Sequence, residues 1–249
     1  MGVIASSVVQ AMPRPAGLQG LRFDVRIGAR QAALALLLAA TLGSALAAAS
    51  AAEEQTMLGV AAAHRSSLAL VVACAPGGTL GNCRSSTAFS VAPGVFVTAS
   101  HALLGTEQVT LSTLSHGSAV GRVEQIDVEG DLAVLRSSLV LPALHTAPRA
   151  VAGEDAVVVC SRRAIADDGA AGRPANYVGR VGGAPIRVDQ GSQQLLLERV
   201  AGAASVLGCS GSPVLDRSGA VTGVLVGGDG ASAGMVDSAE LDRVLGDGR

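Results

Sequence analysis

Three short stretches of this 249-residue chain place reactive side chains where they could be used. Val97-Thr98-Ala99-Ser100-His101-Ala102 is a strand-like run ending in a small-residue turn that presents a histidine. Gly130-Asp131-Leu132-Ala133-Val134-Leu135 sets an acid at the mouth of an apolar run. Gly208-Cys209-Ser210-Gly211-Ser212-Pro213 holds a serine in a glycine-flanked turn before a proline. A serine hydroxyl is a poor nucleophile at neutral pH and needs a base beside it. Neutral imidazole can take its proton and later return it to a leaving amine. A carboxylate then fixes the tautomer and stabilises the imidazolium. Asp131 suits that part, because a carboxylate opening an apolar strand is costly to bury without a partner. His101, Asp131 and Ser210 are therefore the candidate catalytic residues. Singly, each has an ordinary reading as a core or surface histidine, a strand-edge acid and a turn serine; their company sets them apart. His64, His116 and His145 lack such surroundings and read as surface residues, Ser205 and Ser212 as plain loop hydroxyls.

Composition removes competing chemistries. All 18 basic residues are arginine. Without lysine there is no P-loop lysine, no Schiff-base lysine and no Ser-Lys dyad. An α/β-hydrolase would show Gly-x-Ser-x-Gly and the order serine, acid, histidine; here the order is reversed. No Cys-x-x-Cys or His-x-x-x-His spacing suggests a metal site, and the chemistry needs no cofactor. The net charge of -2 conceals an asymmetry. Residues 1–49 carry Arg14, Arg22, Arg26 and Arg30 against Asp24 alone, which leaves 14 Arg and 19 acids, a net of -5, beyond them. A mildly acidic domain is a poor match for nucleic acid.

The elements that must position these residues read as strands. Apolar residues make up 49% of the chain and aromatics 2%, with no Trp and only Tyr177, so the core must be Val, Leu and Ala. Strand-length runs occur at 67–73, 87–91, 95–98, 108–112, 119–126 and 132–136. A looser segment, 137–154, contains Pro142 and Pro148 and reads as a linker. Runs resume at 156–161, 177–181, 194–200, 213–215 and 221–226, and residues 237–245 carry a capped helical pattern. Short strands with turn signals at this spacing point to barrels or a sandwich.

The N-terminal part reads differently. Residues 31–49 are almost wholly apolar, follow Arg22, Arg26 and Arg30, and end in small residues. That is the layout of a secretory signal peptide or, at nineteen residues, a membrane anchor. A short polar stretch follows Ser50. Cys74, Cys83, Cys160 and Cys209 allow three pairings. The turn-rich loop between Cys74 and Cys83 could bring that pair to bonding distance. Cys160 with Cys209 would then tie a strand to the serine loop. Four buried thiols in a cytosolic protein are the alternative.

The three blocks, in this order and 30 and 79 residues apart, resemble the trypsin/chymotrypsin superfamily, and within it most the bacterial HtrA/Deg-type branch without a PDZ domain. The resemblance spans about residues 65–245. It implies an all-β fold of two six-stranded antiparallel Greek-key barrels with a short C-terminal helix. The implied layout is a leader (1–49), then a protease domain (50–249) with barrels at about 60–136 and 155–236, a linker at 137–154 and a helix at 237–246. It implies a serine endopeptidase, exported and secreted or held in the cell envelope, acting on polypeptides through an acyl-enzyme. The oxyanion hole would be the N–H groups of Gly208 and Ser210. Matching the strand after the nucleophile puts Val226, Gly227 and Gly228 beside the substrate and Ala204 at the pocket floor. With no acid there, small or medium apolar side chains are the expected preference. Cys209 stands where digestive relatives carry an Asp that pairs with a freed N-terminus, so that activation switch is not expected. The alternative is a catalytically silent protease-fold binding or scaffold protein.

Overall fold

The structure, a computed structural model, describes residues 29–75, 82–103, 105–113, 115–161, 176–187, 193–199, 208–228 and 232–247. The chain divides into two compact units at Ala47/Ala48. The described part of the first unit is helical throughout and belongs to α1 (Ala29–His64). Among the described residues no helix is long and apolar enough to cross a membrane.

Among its described residues the second unit carries twelve strands. β1 (Leu68–Cys74), β2 (Cys83–Ala92), β3 (Val95–Ala99), β4 (Gln108–Ser112), β5 (Ser118–Asp127) and β6 (Leu132–Ser137) close in the order β1-β2-β3-β6-β5-β4. β7 (Asp155–Val159), β8 (Asn176–Arg187), β9 (Gln193–Arg199), β10 (Pro213–Leu215), β11 (Val221–Gly228) and β12 (Ser232–Asp237) close as β10-β11-β12-β9-β8-β7. Every pairing between these strands is antiparallel. The chain ends in α2 (Ser238–Asp247). The all-β, two-barrel architecture with a C-terminal helix is the one the resemblance implied.

Side chains alternate across a strand, so period two decides which core each residue joins. On β3 and β6, Phe96, Ala133 and Leu135 fill the first barrel, while Val95, Val97, Ala99, Leu132 and Val134 face a shared core. On β7 and β11, Ala156, Val158 and Leu225 fill the second barrel, while Val157, Val159, Val224 and Val226 join the shared core. With both faces buried, these strands read as continuous apolar runs rather than alternating ones. Among the described residues, the aromatic rings in the buried cores are Phe89 and Phe96, and most of the rest is Val, Leu and Ala.

The structure extends the sequence reading at two elements. The short polar stretch after Ser50 is helix: α1 continues through it to His64, and Met57 and Ala61 are wholly buried in the shared core. Its polar residues, Glu53 and Glu54 among them, masked a helix whose buried face carries just two residues in this stretch. The strand β12 was not anticipated, because Ser232-Ala233-Gly234 lacks branched residues; pairing on both sides with β11 and β9 makes it a strand. The segment from 138 to 154 forms no strand but buries Leu139, Leu141, Leu144, Ala147 and Ala150.

Candidate active site

His101 and Asp131 meet because β3 and β6 run antiparallel. The end of β3 therefore lies beside the start of β6, with Ala99 opposite Leu132. One residue further out, the Ser100 N–H donates to the Asp131 carbonyl at 3.0 Å. A short 3-10 turn, Ser100–Leu103, then swings His101 outward while Ala102 and Leu103 stay buried. Asp131 sits at φ 54°, in the left-handed region that Asp tolerates better than most residues. The turn before it is closed by Asp127, whose carboxylate accepts the Gly130 N–H at 3.1 Å.

The two side chains face each other directly. Asp131 Oδ2 lies 2.6 Å from His101 Nδ1, and Asp131 Oδ1 accepts the His101 backbone N–H at 2.9 Å. The Ser100 hydroxyl donates to the same Oδ1 at 2.7 Å. Burial works to raise the Asp131 pKa, but hydrogen bonds from His101 and Ser100 outweigh it and hold the carboxyl below its usual value. On its other side His101 presents Nε2 to Ser210 Oγ at 3.1 Å. The structure thus brings together all three residues that the sequence singled out.

Ser210 comes from the second barrel, on a turn that leads into β10. Gly208 and Gly211 stand at φ 79° and 80°, where a side chain is unfavourable. The Gly211 N–H donates to Leu225 O at 2.7 Å, and the Ser210 carbonyl accepts the Thr87 N–H at 2.9 Å. Among the described residues, the N–H groups of Gly208 and Ser210 donate to no protein acceptor. Cys209 is bonded to Cys160, and Cys74 to Cys83, the pairing that the Cys74–Cys83 loop suggested. Two closed disulfides point to an oxidising, extracytoplasmic compartment.

Other expectations fare differently. Val226 is buried, Gly227 half-buried and Gly228 exposed along β11. Ala204 and Ser205 lie outside the described residues. Ser212 lies in the loop before β10, as expected, but is fully buried, and its Oγ has no partner among the described residues. His116 and His145 are exposed, while His64 is half-buried with Nδ1 3.2 Å from Val60 O. Sequence reading missed the Ser100 hydroxyl as a support for Asp131, although its place beside the histidine was a usable signal. Among the described residues no cluster of His, Cys, Asp or Glu is arranged to hold a metal.

Comparison with known proteins locates the likeness. A family model described as the trypsin-like peptidase domain matches residues 86–224, more than half of the chain. No curated protein sequence matches. Among solved structures, the active form of the Rv3671c protease from M. tuberculosis superposes with a TM-score of 0.61 at 22% identity, covering 75% of this chain and 82% of that one. The inactive form of the same protease gives 0.59 at 21% identity, over 76% of this chain and 91% of that one.

Proposed function

The chain belongs to the trypsin-like peptidase family, and from that premise we propose that it is an exported serine endopeptidase worked by His101, Asp131 and Ser210. One observation supports this above the others. An unbroken hydrogen-bonded line runs from Asp131 Oδ2 through both nitrogens of His101 to Ser210 Oγ, joining residues of different barrels.

In this reading a polypeptide lies between the barrels with its scissile carbonyl beside Ser210 Oγ. As Oγ bonds to the carbonyl carbon, its proton passes to His101 Nε2, and Asp131 stabilises the imidazolium. The negative charge on the former carbonyl oxygen is met by the N–H groups of Gly208 and Ser210. One such donor is worth on the order of 3 kcal/mol in the transition state. When the C–N bond breaks, the His101 proton goes to the leaving amine, and Ser210 is left acylated. Water then attacks the ester, gives its proton to His101, and the acid departs as Ser210 recovers the proton.

Export is supported by the disulfides and by the basic-then-apolar layout of residues 22–49, read as a signal peptide or anchor. The HtrA/Deg-like sequence blocks belong to the same reading. Val226, Gly227, Gly228 and Ala204 are the proposed pocket, which takes small or medium apolar side chains; dominant cleavage after Arg in a peptide library would overturn that preference.

The test is labelling of the purified chain with a fluorophosphonate probe, beside Ser210→Ala and His101→Ala. Labelling that both substitutions abolish is the expected result. No labelling of folded wild type, with candidate peptides present or absent, would shift the reading to a silent binding or scaffold protein.

A further inference from the structure

The backbone ladder between β2 and β3 stops short of Thr87. β2 pairs with β3 only from Phe89 onward, opposite Val97. Two residues earlier, Thr87 remains paired with Leu70 of β1 but turns its N–H to the Ser210 carbonyl in the other barrel, at 2.9 Å. The next group along the chain, the Gly211 N–H, donates to Leu225 O at 2.7 Å. Both polar ends of the Ser210–Gly211 peptide are therefore held, and the plane of that peptide governs where Ser210 Oγ stands relative to His101.

Thr87 is wholly buried, and all its polar groups are engaged. Its carbonyl accepts the Thr98 hydroxyl at 2.7 Å. Its Oγ1 accepts the Ser161 N–H at 3.1 Å and lies 3.7 Å from Cys160 Sγ. Cys160 is the residue bonded to Cys209, immediately before the nucleophile. Packing closes the same point, since a Cβ on Gly211 would run into Thr87 O and Thr98 Oγ1. A threonine of the first barrel thus touches the nucleophile peptide through its backbone, and the strand end anchoring the neighbouring disulfide through its side chain.

We propose that Thr87 is a positioning residue for Ser210: its hydroxyl registers the Cys160–Cys209 anchor against the first barrel, so that Ser210 stays in line with His101. Any residue at position 87 except proline can offer the backbone N–H. The Thr87 hydroxyl also accepts from the Ser161 N–H, which an aliphatic side chain cannot do. Thr87→Val keeps the shape, leaves the Ser161 N–H without its acceptor and sets a methyl against the sulfur; Thr87→Ser restores the oxygen. A displacement on the scale of an ångström at a reacting centre can cost about 100-fold in rate.

The proposal rests on the peptidase reading for its kinetics but not for its second readout. In the full chain, Thr87→Val is expected to lower kcat roughly 10- to 100-fold with KM within a few-fold, and Thr87→Ser to recover most of the loss. Hydrogen exchange across residues 208–215 should quicken in Thr87→Val alone, with β4 and β5 unchanged. Equal behaviour of Thr87→Val and wild type in both measurements, or equal losses in the Val and Ser variants, would overturn it. Should Thr87→Val not fold, Cys160→Ser with Cys209→Ser cuts the same tie from the sulfur side. It must then reproduce both effects while Cys74→Ser with Cys83→Ser does not. A catalytically inert wild type would defeat the peptidase reading, and the exchange comparison would still decide this one.

Discussion

Asp131 holds His101 at two points: one carboxylate oxygen takes the backbone N–H at 2.9 Å and the other lies 2.6 Å from Nδ1. The ring cannot turn about its side-chain bonds without losing the second contact, and the first fixes the chain from which it turns. Asp131 makes both contacts from a left-handed backbone, at φ 54°. A sparsely populated conformation at such a point is where strain is commonly retained for function.

Asp131→Asn tests that arrangement with little disturbance. Asn tolerates the left-handed region as Asp does, so the fold should persist. Its amide leaves His101 in the wrong tautomer, and kcat should fall on the order of 10⁴-fold, the loss known for this triad template. Asp131→Ala should lose a further ~1–2 kcal/mol of stability, because a residue without a polar side chain is strained at that φ. Steady-state kinetics with urea unfolding separates the two. An Asn variant within ten-fold of wild type would refute the role.

The candidate residues were legible in the sequence because each carries a local signature: histidine after a buried strand, acid before one, serine between glycines. The strands were legible because those buried on both faces read as apolar runs; that they close into two barrels, rather than a sandwich, came from the resemblance. What stayed hidden depends on neighbours distant in sequence. Thr87 is one hydroxyl in an ordinary strand until Ser161 and Ser210 arrive beside it. Ser212 reads as a turn residue until its burial is known. The length of α1 was hidden because Met57 and Ala61 alone, four residues apart, form its wholly buried face beyond Ser50.

Gly208 and Gly211 share a backbone conformation but not their surroundings. A Cβ on Gly211 would meet Thr87 O, Thr98 Oγ1 and, at 2.7 Å, Ala99 N; on Gly208 nothing among the described residues stands nearer than 3.9 Å. Gly208→Ala should therefore cost only ~1–2 kcal/mol of backbone strain and fold, with its main loss in kcat as the proposed oxyanion donors shift. Gly211→Ala adds a clash with main chain of the first barrel and should lose more than about 4 kcal/mol or fail to fold. Unfolding midpoints and soluble yield measure both, and equal stability of the two variants would contradict the packing argument.

Asp155, 9% exposed, accepts Arg180 on Oδ1 and Arg217 on Oδ2, at 3.1 and 2.6 Å. Burial works to raise its pKa, but the two arginines outweigh burial and hold it below the ordinary value. A depressed folded pKa means stability that is fully present above the unfolded value of about 3.9 and is lost as pH falls through the folded one. Asp155→Asn should thus be less stable than wild type by a constant margin from pH 8 to 5. That margin should narrow below about pH 4. Urea denaturation of both proteins across this range measures it, and a margin unchanged down to pH 3 would show that the ion pairs are not its source.

The C-terminal half of α1 belongs energetically to the barrels. Met57 and Ala61 are fully buried in the shared core, Leu58 and Val60 pack against it, and Glu53 lies 3.1 Å from Arg217. A chain beginning at Ser50 keeps all of these contacts and should unfold at the same midpoint as the full chain. One beginning at Ser66 uncovers the apolar residues that Met57 and Ala61 cover, and should be strongly destabilised or insoluble. Met57→Ala isolates the largest contribution: truncating a buried methionine costs about 2–5 kcal/mol when the cavity cannot collapse. The exposed salt bridge contributes much less, so Glu53→Gln should change stability by under about 1 kcal/mol. Equal midpoints for the Ser50 and Ser66 chains would show that the helix is dispensable to the fold, whatever its burial suggests.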